Sequence, residues 1–287
     1  MNITARAKLA GIIGWPVAHS LSPQLHGIWL EERDIDGAYI PLAVARESFA
    51  GVVSALCRAG FVGVNVTVPH KEAAFALVHE ADATALAAGA VNVLLFHDGR
   101  LIGQNTDAEG LADSLAETLD ANALKGSTVA VLGAGGAARA AVLACDRLQA
   151  GHVRVVSRQF GRAEALVLAL RPHVRAELSA FAWSDWPASA ESICLLVNAT
   201  SAGMTGAASL ALDLDVVKRE VAVCDLVYNP LETELLRAAR ARGHHTIDGL
   251  GMLVYQAVPA FEAFFGVKPR VTPALRSRLE LSLRHDG

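Results

Sequence analysis

The sequence predicts an α/β protein made of two α/β domains with a cleft between them, the second of them Rossmann-like. Two observations lead there. Short β-branched apolar runs alternate with longer segments of helical period, the pattern of a mainly parallel sheet. Near the middle, a fully apolar run passes directly into a glycine-rich turn and then a helix, at Ser127–Leu132 and Gly133–Arg139. The length of 287 residues suits one large domain or two ordinary ones.

In the first third the expected strands are Leu9–Gly14, Tyr39–Ala43, Val62–Thr67 and Val91–Phe96. Helical stretches lie between them near Pro23–Glu32, Glu47–Arg58 and Lys71–His79. Pro23 fits the first helical turn, where its missing N–H would be unpaired anyway. A second series opens near Asp107 with an amphipathic helix at Glu109–Leu119 and the strand Ser127–Leu132. The glycine turn feeds a helix to about Leu148, and Val153–Val156 is the next strand. Strands follow at Ile193–Val197 and Val221–Leu226, with helices at Thr233–Ala241, from Gly251 through Phe265, and from Pro273. The chain thus reads as a substrate-binding domain over 1–106 plus 251–287 and a cofactor domain over 107–250.

Composition narrows the function. Apolar residues make up 53% of the chain and charged ones 19%, ample for a packed core and far from a disordered balance. The net charge is −4 with no basic stripe, so nucleic acid and membrane surfaces are not the expected partners. Four cysteines, Cys57, Cys145, Cys194 and Cys224, show neither zinc spacing nor a disulfide framework. The histidines give no HxxxH or HExxH pattern, so no metal is expected. His19 and His26 read as structural. Met1 to Lys8 lacks the apolar core of a signal peptide, and the uncharged stretch Ser192–Leu212 is too polar to span a bilayer. A cytoplasmic protein, monomer or homodimer, is the expectation.

Gly133, Gly135 and Ala138 carry the G-x-G-x-x-G/A spacing between strand and helix. The first glycine permits the tight turn, the second lets the backbone approach a pyrophosphate, and the small third residue lets helix pack on strand. The anion then meets unpaired N–H groups at the positive end of the helix dipole. The next strand ends in Val156-Ser157-Arg158-Gln159, with no acid to hold a ribose 2′-hydroxyl. Arg158 instead matches a 2′-phosphate, which its planar fork can bind through charge-assisted bonds, so NADP is favoured over NAD. Ser157 and Arg139 are secondary candidates there.

Four polar clusters fall where strands are expected to end, the usual ligand edge of an open α/β sheet. They are Ser20-Leu21-Ser22-Pro23, Asn65 to Lys71, Ala90-Val91-Asn92 and Asn105-Thr106-Asp107. Rich in neutral hydrogen-bonding groups, with one lysine and one aspartate among them, they suit a small hydroxyl-bearing acid. Here the sequence resembles the shikimate dehydrogenase family. Gly14-Trp15-Pro16-Val17-Ala18-His19-Ser20-Leu21-Ser22-Pro23 is similar to the family's opening signature. The run Gly63 to Lys71 resembles its catalytic-lysine motif, and Asn105-Thr106-Asp107 its catalytic-aspartate motif. Asn198 to Met204, Asp225 to Pro230 and Asp248 to Ala257 match further family motifs, in family order, from about residue 9 to 265.

The resemblance implies roles residue by residue. Ser20 and Ser22 would bind the substrate carboxylate with help from Tyr228, while Asn65, Thr67, Asn92 and Gln256 would bind ring hydroxyls. Lys71 and Asp107 would form the catalytic pair. Gly133, Gly135, Gly136 and Ala137 would line the cofactor phosphates, with Arg158 near the adenosine phosphate. Thr200, Ser201, Met204, Gly249 and Met252 would lie along the nicotinamide end. The sequence departs from the family pattern at Gly27, Val93, Ala108-Glu109 and Ser157-Arg158-Gln159. The reading is therefore an NADP-dependent enzyme reducing 3-dehydroshikimate to shikimate in aromatic amino acid biosynthesis. Its rivals are a paralog acting on quinate or a related hydroxy acid, and an NADP-binding protein without catalysis. Asp107 has a plainer use as well, capping a helix that begins at Ala108.

Overall fold

The computed structural model describes residues 3–285. The outer limits of the domain expected over 1–106 plus 251–287 fall on residues outside that range. The chain forms two compact units, one of residues 1–106 and 254–282, the other of 107–253 and 283–287. Each is built on a six-stranded sheet.

The first unit runs β1 (Lys8–Gly14), α1 (Ser22–Glu32), β2 (Gly37–Ala43), α2 (Phe49–Arg58), β3 (Phe61–Val66), α3 (Lys71–Leu77), β4 (Glu80–Ala81), α4 (Ala83–Ala88), β5 (Val93–His97) and β6 (Arg100–Gln104). Its strand order is β2-β1-β3-β5-β6-β4. The sheet is mixed but still mainly parallel, with three parallel pairings and two antiparallel ones. β1 runs parallel to β2 and β3, whereas β5 is antiparallel to both β3 and β6. The cause is local: Asp98 (φ 48°) and Gly99 (φ 77°) both take the left-handed region in a two-residue turn. That geometry matches strand twist and closes a hairpin, so β6 must double back along β5. The expected strand Val91–Phe96 accordingly begins at Val93.

Ile13, Val64, Val66 and Leu94 face one core with Phe49 and Val53 of α2. On the other face, Tyr39 meets an aromatic group of His26 and Trp29 from α1 with Phe261 and Phe264. Phe264 belongs to α10 (Leu250–Phe265) and packs so near Gly63 that any Cβ there would collide with its ring. That contact accounts for glycine in the middle of a strand.

The second unit runs α5 (Asp107–Thr118), β7 (Thr128–Leu132), α6 (Gly136–Arg147), β8 (His152–Ser157), α7 (Phe160–Leu170), β9 (Glu177–Ala182), α8 (Trp186–Ser189), β10 (Ile193–Asn198), β11 (Ala222–Asp225), α9 (Glu234–Ala241) and β12 (Thr246–Ile247), and leads into α10. After α10 the chain ends in α11 (Pro273–His285). The strand order is β12-β11-β10-β7-β8-β9, and every pairing is parallel. Both faces are covered: Val129 and Val131 point into one core, Ala130 and Leu132 into the other. A strand buried on both sides reads as an unbroken apolar run, and β7 does so. Among the described residues no helix is long and apolar enough to cross a membrane.

Candidate functional site

In the first unit the polar clusters gather at one end of the sheet. Ser20 and Ser22 follow β1, and the Ser22 amide donates to Ser20 Oγ (3.3 Å) as α1 begins. Asn65 is the penultimate residue of β3 and Thr67 lies just past its end. Asn105 and Thr106 follow β6. Asn92 lies before the start of β5, not at a strand end as expected. Because β5 is antiparallel, its start lies level with the ends of its neighbours, Val93 pairing with Asn65 and Gln104. The reversal thus returns Asn92 to the edge that the sequence assigned it on a mistaken ground.

Asn92 is 3% exposed and closely held. Its Nδ2 donates to Thr106 Oγ1 (3.0 Å) and reaches Gln256 Oε1 (3.4 Å), while its Oδ1 accepts from the Thr106 amide (2.9 Å). Thr106 Oγ1 donates onward to the Gln256 carbonyl (2.9 Å), so one threonine joins β6 to α10. Asn105 Nδ2 donates to the Ala90 carbonyl (2.9 Å). Asn65 donates to the Asn92 carbonyl (3.1 Å) and accepts at its own Oδ1 from the Tyr39 hydroxyl (2.7 Å). The structure therefore brings together Asn65, Asn92 and Gln256, and adds Thr106 and Tyr39, which the sequence reading did not assign. Thr106 could have been picked out because it lies inside a quoted motif. Tyr39 carries no local signal, since strand register alone brings it there.

Lys71 is half-buried and opens α3, behind the buried His70. His70 Nε2 bonds the Val44 carbonyl (2.7 Å) and its ring stacks on Phe49 (4.6 Å, 5°), which fixes where α3 starts. A cation in a first helical turn meets the unfavourable end of the dipole. Asp107 belongs to the second unit by contacts, and it is 6% exposed. It is itself the first residue of α5, so it does not cap a helix starting at Ala108. Its carboxylate sits in the first turn, where the dipole favours it.

The glycine turn of the second unit has a divided logic. Gly133 has φ 109°, and a Cβ there would meet the Ala199 carbonyl at 3.0 Å and Thr200 Cγ2 at 3.1 Å, so backbone and packing both require glycine. Gly135 precedes α6 and Gly136 begins it, yet a Cβ on either would meet nothing within 4 Å. Among the described residues nothing demands glycine at these two positions. Bare backbone facing open space at a helix N-terminus suits the close approach of a phosphate. Arg158 is exposed one residue beyond β8, and Ser157 Oγ accepts from the Gln159 amide (3.2 Å), which leaves its own hydrogen to donate. Arg139 is half-buried on α6.

At the end of β10, Asn198 Oδ1 accepts from both the amide (3.1 Å) and the hydroxyl (2.8 Å) of Thr200. The Ala202 amide donates to Thr200 Oγ1 (3.2 Å), closing a tight loop around Ser201. Asp225, at the end of β11, accepts from the Val227 amide (3.1 Å) and the Thr233 hydroxyl (2.7 Å), which sets the course of the segment carrying Tyr228. Burial pushes the Tyr228 phenol up from its usual range, so it stays protonated and able to donate. Gly249 packs against the Leu226 and Val227 backbone too closely for any side chain. Met204 is exposed and Met252 packs on the core.

Residues 12–94 match a family model described as the shikimate dehydrogenase substrate binding domain, and residues 249–276 one described as the shikimate 5′-dehydrogenase C-terminal domain. A shikimate dehydrogenase (NADP(+)) of Methylobacterium radiotolerans is 50% identical over 277 residues, covering 96% of this chain and 97% of its own. The protein of that name from Paramagnetospirillum magneticum is 48% identical over 276 residues, with 96% and 99% covered. Among solved structures, shikimate 5-dehydrogenase from Thermus thermophilus in complex with NADP(H) and shikimate superposes with a TM-score of 0.83. It is 36% identical, with 97% of this chain and 99% of that one covered.

Proposed function

Because the chain belongs to the shikimate dehydrogenase family, we propose that it interconverts 3-dehydroshikimate and shikimate with NADP as its cofactor. The observation that carries this reading is the identity of about half the residues, over almost the whole length, with NADP-dependent relatives. Physical support comes from the exposed guanidinium of Arg158 at the strand tip where an acid would favour NAD.

When bound, the nicotinamide supplies or accepts the hydride. Gly133, Gly135, Gly136 and Ala137 bind the cofactor phosphates, and Arg158 the adenosine 2′-phosphate. Thr200, Ser201, Met204, Gly249 and Met252 line the nicotinamide end. Ser20 and Ser22 bind the carboxylate of the substrate together with Tyr228. Asn65, Thr67, Asn92 and Gln256 take its hydroxyls. Lys71 donates a proton to the carbonyl oxygen as it becomes an alkoxide, and its ammonium stabilises the developing charge. Asp107 orients that ammonium and accepts from a neighbouring ring hydroxyl. In the reverse direction Lys71 takes the proton from the alcohol. The enzyme works in the cytoplasm, as a monomer or homodimer, in the supply of aromatic amino acids.

Steady-state turnover with NADP and NAD, each paired with shikimate and quinate, tests the reading. Shikimate with NADP should give the highest kcat/KM. Preference for quinate would assign the chain to the paralogous activity, with Val93 and Ala108 as the first residues to exchange.

A further inference from the structure

Tyr39 is 7% exposed on β2, its ring stacked on His26 at 3.9 Å and 9° from parallel. A phenol has one hydrogen, and here it goes to Asn65 Oδ1 at 2.7 Å. On the other side of that amide, Asn65 Nδ2 donates to the Asn92 carbonyl, a group that only accepts. The two neighbours fix the amide in one orientation, with one N–H and one lone pair left over. A group offering one donor and one acceptor suits a hydroxyl, which both donates and accepts. The hydroxyl of Ser22, which is 8% exposed, lies close enough to the phenol to oppose the upward push that burial gives it.

We propose that Tyr39 is a positioning residue for substrate: its hydroxyl sets the Asn65 amide beside Ser22, so one phenol stands between carboxylate recognition and hydroxyl recognition. The inference rests on the roles given above to Ser22 and Asn65.

Tyr39→Phe keeps the ring and its stack on His26 and removes only the hydroxyl. The KM for shikimate should rise about three- to tenfold, the scale of one neutral hydrogen bond. The KM for NADP should not change and kcat should change less than the KM for shikimate. Added to Ser22→Ala, the substitution should raise KM by less than the product of the separate effects, as coupled residues do. An unchanged KM for shikimate, a parallel rise for NADP, or full additivity overturns the proposal. In NMR of the ligand-free protein, the Asn65 side-chain amide protons should shift or broaden in Tyr39→Phe, and unchanged signals overturn it independently of turnover. Wild-type protein inactive on shikimate would sink the functional reading instead, with the NMR result still deciding the role of Tyr39.

Discussion

Asn198 donates from Nδ2 to an Asp225 carboxylate oxygen at 2.8 Å, and both residues are wholly buried. Through this bond the loop bearing Thr200 and the segment bearing Tyr228 share one anchor. The carboxyl is pushed up from its usual range of 3.8 by burial, although Thr233, Val227 and Asn198 all donate to it. A raised acid favours the protonated form in the folded state, so its contribution to stability is full below the unfolded value of 3.8. It is lost as pH climbs through the raised native value.

Asp225→Asn should therefore become more stable relative to wild type as pH increases above 3.8, by up to about 1.4 kcal/mol for each unit of native shift. Urea unfolding at a series of pH values measures this. A difference between the two proteins that does not vary with pH would contradict the direction given.

His26 has the opposite dependence. Burial lowers its pKa to about 3, and among the described residues neither ring nitrogen has a hydrogen-bond partner. The folded state therefore excludes the proton that the unfolded chain binds below 6.5, and stability falls as pH drops from 6.5 toward about 3. His26→Phe keeps a ring on Tyr39 and should flatten that acid limb in the same unfolding experiments. At pH 7 the variant should be at least as stable as wild type, because an unpaired polar group leaves the core.

Lys71→Ala should lower kcat by about 10²–10⁴-fold, the usual contribution of a positioned proton donor. Equilibrium binding of shikimate should stay within a few-fold of wild type. Single-turnover rates and a binding titration separate the two effects, and lost affinity with a preserved chemical rate would remove Lys71 from its assigned role.

Arg158→Ala should raise the KM for NADP about 10- to 100-fold, matching one or two charge-assisted bonds, and leave the KM for NAD nearly unchanged. Equal changes for both cofactors would mean that Arg158 does not read the 2′-phosphate.

Legibility followed the range of the interactions. β7, the turn and the start of α6 could be read because one apolar run, one steric need at Gly133 and one helix start lie within about twelve residues. β6 escaped although Asp98-Gly99 is a strong hairpin signal, and with it went the antiparallel pairing of β5 and β6. α4 was missed too, although Asp82, which accepts from the Ala85 amide (2.6 Å) at its start, and left-handed Gly89 at its end are local signals. Tyr39 and the junction of Thr106 with Gln256 were different. Their partners lie 26 and 150 residues away, and no local pattern encodes such pairings. The quoted motifs marked Asn92, Asn198 and Asp225, but not the hydrogen bonds by which each also anchors neighbouring segments.

The first unit takes Gln256, Phe261 and Phe264 from a helix made long after its sheet. On the ribosome, the N-terminal strands emerge with Gly63, His26 and Tyr39 still uncovered, and they wait while residues 107–253 are synthesised. That later stretch is continuous and can collapse on its own schedule. The order of synthesis and the order of completion are thus inverted. A nascent chain stalled before α10 would expose an aromatic face, making it a natural client for chaperones.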